Sequence, residues 1–125
     1  MIFIILLLLI IPVYSYNPYL FNVNTIFKNK KSITVSKYII RRLELENIDT
    51  YFGYNGGAIL PFFDEMYTEN TNIIINRHEQ SSGHCAEGYA KISGKMGVVV
   101  TTSGPGLTNM ITPLQDAYSD SIPLF

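Results

Sequence analysis

From Thr34 onward, short apolar runs alternate with longer segments of helical pattern, and each run ends in a glycine or charged turn. No other feature constrains the fold of this chain as tightly. A helix capped by Thr34 or Ser36 is expected to run to Asn47, with Tyr38, Ile39, Ile40 and Leu43 inward and Arg41, Arg42, Glu44 and Glu46 outward. A strand follows over residues 49–53, stopped by Tyr54-Asn55-Gly56-Gly57, and AILPFFDEMY resumes a helical pattern that Pro61 can enter only near its first turn. Further strands are expected over residues 72–76 and 97–101, helices over 79–93 and 106–118, and the start of another strand at Ile122. Strands that alternate with helices pair in parallel, and the runs lack a period of two, as buried strands do. The expected fold class is therefore α/β, a doubly wound parallel sheet covered on both faces.

In such a sheet every strand delivers its carboxyl end to one edge, where open α/β folds bind ligands. Three successive turns meet there: Tyr54-Asn55-Gly56-Gly57, Arg77-His78-Glu79 and Thr101-Thr102-Ser103-Gly104-Pro105-Gly106. Glu79 stands at the junction of an apolar strand and a small-residue helix, in a place suited to acid–base work. Its plainer reading is a glutamate that stabilises a helix start through the dipole. The glycine turns lack a Cβ, so another backbone or a cofactor can come close, and Ser103-Gly104-Pro105-Gly106 can offer N–H groups to an anion. Glycines alone discriminate poorly. The chain has no glycine-lysine-hydroxyl phosphate loop, and GYNGGA has neither the dinucleotide spacing nor an acidic partner, since Asn76 and Arg77 stand at the end of the next strand.

A length of 125 residues allows one domain at most, and a net charge of -1 makes no field that would gather nucleic acid. The single Cys85 has no second thiol for a disulfide or a metal, so it reads as a small packed helix residue and no metal site is expected. Residues 1–15 resemble a secretory signal peptide, cleaved or kept as an anchor, because an apolar run of about eleven residues is short for a membrane span. A buried core strand is the alternative. Residues 16–33 hold Asn, Lys, Ser and Thr but no acid, the pattern of an organelle transit segment or a disordered linker. Signal followed by transit is the address of a plastid reached through the secretory pathway; membrane anchoring and a mitochondrial destination are the alternatives. Residues 34–125 form the folded part.

Taken in order, FGYNGGAILPFFDEMY, RHEQSSGHCAEGYAKISGKMGVVVTTSGPGLTN and AYSDSIPLF resemble the amino-terminal pyrimidine-binding domain of thiamine-diphosphate-dependent enzymes, most of all the acetolactate synthase large (catalytic) subunit. The resemblance covers residues 34–125. Other 2-oxo-acid decarboxylases and carboligases share much of it. It implies that Glu79 hydrogen-bonds a ring nitrogen of the cofactor's aminopyrimidine and so promotes removal of the thiazolium proton, with burial raising the glutamate's pKa toward the working range. It further implies cofactor-binding positions at Gly56, Gly57, Ala58, Ser103, Gly104, Pro105, Gly106 and Asn109. Asn55 departs from the family's proline and loosens its turn. His78 and His84 read as packing or surface residues.

What the resemblance implies for the whole enzyme is a transferase or lyase that condenses pyruvate with a 2-oxo acid in branched-chain amino-acid biosynthesis. It implies thiamine diphosphate as cofactor, with magnesium and FAD held by carboxyl-terminal domains outside this sequence. A homodimer or tetramer and a regulatory subunit follow from the same resemblance. The chain stops inside an expected strand, so the sequence reads as a fragment truncated at the carboxyl end; a non-catalytic truncated domain is the other reading.

Overall fold

A computed structural model describes residues 33–125; the readings of the signal-like segment and of nearly all the transit-like segment lie outside the described residues. Thr34 opens the first helix, α1 (Val35–Leu45), because its backbone is extended and its Oγ1 accepts the Lys37 N–H at 3.1 Å. Asn47 turns the chain out of α1 with φ of 60°, a left-handed conformation that asparagine tolerates. The strand β1 (Thr50–Gly53) follows at once. A single 3-10 turn (Gly57–Ile59) leads into α2 (Leu60–Thr68), which carries Pro61 in its first turn, where no N–H is missed.

β1 is the central strand of a parallel sheet, with β2 (Asn72–Ile75) on one side and β3 (Val99–Val100) on the other. Its register sets Tyr51 opposite Ile73 and Phe52 opposite Val99. Beyond β3, Gly97 and Leu124 form a parallel bridge, held by Gly97 N–H to Pro123 O at 3.1 Å and Phe125 N–H to Gly97 O at 2.8 Å. The start of the last expected strand thus pairs on the far side of β3.

Alternate side chains of β1 go to opposite layers. Tyr51 joins Ile40, Leu43, Ile48, Met66, Val98 and Val100 in the core beneath α1 and α2. Phe52 points the other way, its ring 5.7 Å from that of Tyr89 on α3 (Glu79–Ser93). Helices therefore cover both faces. α1 and α2 are also laced by charge: Thr34 Oγ1 donates to Glu65 at 2.8 Å, and Lys37 pairs with Glu65 and Glu69. Two short helices, α4 (Pro105–Asn109) and α5 (Ile111–Ser119), lie against α3. α5 comes so close at Gly83 that a Cβ there would stand within 2.5 Å of Pro113 Cβ.

Three expectations are corrected. The single helix over 106–118 is two, separated at Met110, because Pro113 cannot donate to the carbonyl of Asn109 and its ring would strike it; in α5 Pro113 falls in the first turn, where neither cost arises. β2 is not buried on both faces: Ile74 is 42% and Ile75 53% exposed, since β2 is an edge strand of the described sheet. Cys85 is exposed, with the Asn76 amide 3.6 Å from its sulfur. Among the described residues no helix is long and apolar enough to cross a membrane.

Candidate functional site

Glu79 is the first residue of α3, one position after the carboxyl-edge turn that follows β2. His78 caps the helix from extended backbone, its Nδ1 accepting the Gln80 N–H at 3.1 Å, which places any neutral-ring proton on Nε2. Glu79 is only 8% exposed. The Asn109 side chain reaches it from the end of α4, Nδ2 donating to Oε2 at 3.0 Å. That bond, then the glutamate's own backbone N–H, then the field of His78 hold the carboxyl below its usual value of 4.5, against the opposing effect of burial. The expected upward shift is thus reversed in this chain, because donors aimed at the carboxylate outweigh its partial desolvation.

The three turns do converge, and Thr102 is what fits them together. A Cβ on Gly56 would stand 2.6 Å from both Cβ and Cγ2 of Thr102. One on Gly106 would stand 2.6 Å from Thr101 Oγ1, 2.8 Å from Thr102 Cγ2 and 3.2 Å from Glu79 Oε1. These two glycines therefore serve the closeness of turn to turn. Gly57 has open space where its side chain would be, and Gly104 is demanded by a φ of 71°. Ala58, Ser103 and Pro105 are exposed around the rim, while Asn109 is half-buried against Glu79. The helix that opens at Pro105 has five residues, too few to bring much dipole to an anion. Thr101 and Thr102 stand in the third turn that the sequence marks out but carry no site role there; the signal for one is a pair of β-branched hydroxyl residues at a strand end before a glycine turn.

Two other places draw notice. His84, Glu87 and Asp116 bring a ring nitrogen and two carboxylates within 4.8 Å of one another. Lys91 already occupies Glu87 at 2.8 Å and Asp120 at 2.7 Å, so the group acts as an ion network closing α5 onto α3. At the opposite, amino edge of the sheet a concavity of about 480 Å3 is lined by Asp49, Tyr51, Asn72 and Lys95 among others. The Tyr51 hydroxyl there is buried with no hydrogen-bond partner among the described residues, and burial pushes it up to about 12. Neither place lies on the carboxyl edge with Glu79.

Residues 33–125 match the family described as "Thiamine pyrophosphate enzyme, N-terminal TPP binding domain". The chain is 55% identical over 80 residues to the acetolactate synthase catalytic subunit, mitochondrial, of Saccharomyces cerevisiae, which covers 63% of this chain and 12% of that protein. It is 49% identical over 98 residues to the acetolactate synthase large subunit of Lactococcus lactis, covering 78% and 17%. With the large subunit of Corynebacterium glutamicum the figures are 47% over 93 residues, 74% and 15%. The chain thus spans between 12% and 17% of the length of these curated relatives. A parallel sheet with Glu79 held at its carboxyl edge, and a family match over the whole of the described fold, lead to one conclusion: this chain belongs to the thiamine pyrophosphate enzymes, as their N-terminal TPP-binding domain.

Proposed function

We propose that this chain is the pyrimidine-binding portion of an acetolactate synthase-like enzyme and that Glu79 is its proton-exchanging residue. The observation that carries the reading is the Glu79 carboxyl, nearly buried at the carboxyl edge, with one oxygen held by Asn109 and three turns closed around it. These residues suit the pyrimidine end of thiamine diphosphate. A carboxyl can share a proton with an aromatic ring nitrogen, Gly57 leaves open space, and the missing Cβ of Gly106 leaves room beside Oε1. Gly56, Gly57, Ala58, Ser103, Gly104, Pro105, Gly106 and Asn109 would form the wall on that side, and Glu79 would hold or release a proton at the ring nitrogen. When bound, the cofactor supplies the electron sink for decarboxylating a 2-oxo acid and joining the remainder to a second one.

The names of the relatives support an acetolactate synthase; pyruvate and a second 2-oxo acid as substrates, and a transferase or lyase as the class of enzyme, belong to this reading. Magnesium and FAD belong to this reading through parts of the protein beyond residues 33–125, as do a homodimer or tetramer and a regulatory subunit. The division into a signal-like segment (1–15), a transit-like or linker segment (16–33) and a folded part (34–125) is part of the same proposal. Fusion of residues 1–35 to a fluorescent reporter tests the address: an organellar signal supports it, and a cytosolic one removes both the signal and the transit readings. Acetolactate formation from pyruvate by the full-length gene product tests the function. Glu79→Gln is expected to lower the rate by roughly two to four orders of magnitude, the usual worth of a positioned acid–base group. A rate within a factor of two of the parent would exclude Glu79 from proton exchange.

A further inference from the structure

We propose that Asn109 is a positioning residue for the proton exchange assigned to Glu79: its amide holds Oε2 and leaves Oε1 as the oxygen that carries the proton. The inference rests on the reading of Glu79 just given and deepens it. Nδ2 of Asn109 lies 3.0 Å from Oε2. The amide hydrogen takes one of the two lone-pair sites of Oε2 and favours negative charge there, so the proton is better placed on the other oxygen. Oε1 meets something different: the bare Cα side of Gly106, where an added Cβ would come to 3.2 Å. The two oxygens of one carboxyl therefore meet different neighbours, and the residue that creates the difference arrives from a helix 30 positions along the chain.

The same bond favours the carboxylate over the acid, so Asn109 also eases release of the proton. It is the largest influence on Glu79, ahead of the backbone N–H and of His78, which act in the same direction. From the other elements packed on this turn, α4 and the Thr101–Thr102 segment bring hydroxyls and glycine backbone but no charged side chain. On its own turn Glu79 follows Arg77 and His78.

The test is a pH titration of the full chain followed by NMR, with the Glu79 carboxyl carbon assigned by its loss in Glu79→Gln. In the parent chain the Asn109 side-chain amide resonances should move with the same midpoint as the Glu79 carboxyl. Asn109→Ala should raise that midpoint, and Asn109→Asp, which sets a second carboxylate against the first, should raise it further. A role confined to packing predicts no such order. An unmoved midpoint in Asn109→Ala with a native amide spectrum overturns the proposal. So do parent Asn109 amide resonances that stay flat through the Glu79 titration, a result that needs no variant to fold. None of these readouts needs the cofactor, so an active Glu79→Gln enzyme would overturn the proposed function without touching the hold of Asn109 on Glu79.

Discussion

Single atoms decide which glycine matters at this edge. Gly56 and Gly57 are neighbours in one turn, and both read from the sequence as places where something comes close. Only Gly56 has its side-chain position filled, by Thr102 Cβ and Cγ2 at 2.6 Å; Gly57 faces nothing within 4 Å. Because Thr102 Cβ is fixed to its backbone, relief requires the turns to separate. Gly56→Ala is expected to destabilise the fold by about 1–3 kcal/mol, as overpacking does, and Gly57→Ala by less than about 0.5 kcal/mol. Urea midpoints of the two variants measure the difference, and equal midpoints would mean that the turns are not fitted as described. Glu79 could be picked out in the sequence by its place after an apolar run; the atom that steadies it could not. Asn109 is one of many polar residues after a glycine turn, and nothing local marks it as the one that reaches back 30 positions.

Elements are joined here by charges as well as by the core. Asp49, just before β1, accepts from Lys95 Nζ at 2.6 Å, from the loop before β3, and from Tyr89 of α3 at 3.1 Å. Lys95 first, then Thr50 and Tyr89, lower its carboxyl from 3.8 to about 2. A carboxyl depressed in the folded state adds stability above its unfolded value, and that stability is lost as pH falls through the folded one. Thermal midpoints should therefore show the parent ahead of Asp49→Asn near pH 7 and the gap closing between about pH 4 and about pH 2. A gap that persists at about pH 2 would show that the carboxylate is not its cause. Most element boundaries were legible, because capping residues and helix breakers act within a few positions: Thr34 starts α1 where expected, and Gly94, with φ of 69°, ends α3. The division at Met110 was legible in principle too, through Pro113, but the apolar pattern on either side of it runs on without a break.

Across the described residues of the molecule, the sheet is well covered at β1 and β3 and open at β2. The exposed Ile74 and Ile75 on an edge strand invite association with another chain. Concentration-dependent association should be seen in sedimentation and should fall in Ile75→Lys, with the unfolding free energy changed by less than about 0.5 kcal/mol. Association unaltered by that charge would place the sticky surface elsewhere. By itself the sequence determined the alternation of strands and helices, and with it the parallel sheet and the edge at which Glu79 and the glycine turns would meet. Those follow from periodicity, caps and chain connectivity, which are local or nearly so. Only the tertiary structure decided that Thr102 fills the space beside Gly56 and Gly106, that the Asn109 amide reaches the Glu79 carboxyl, and that Ile74 and Ile75 of β2 stay exposed among the described residues. Each depends on atoms far apart in sequence being brought within a few ångströms, or on which of the described elements lie over a strand. Such distances are set by packing, which a linear pattern does not contain.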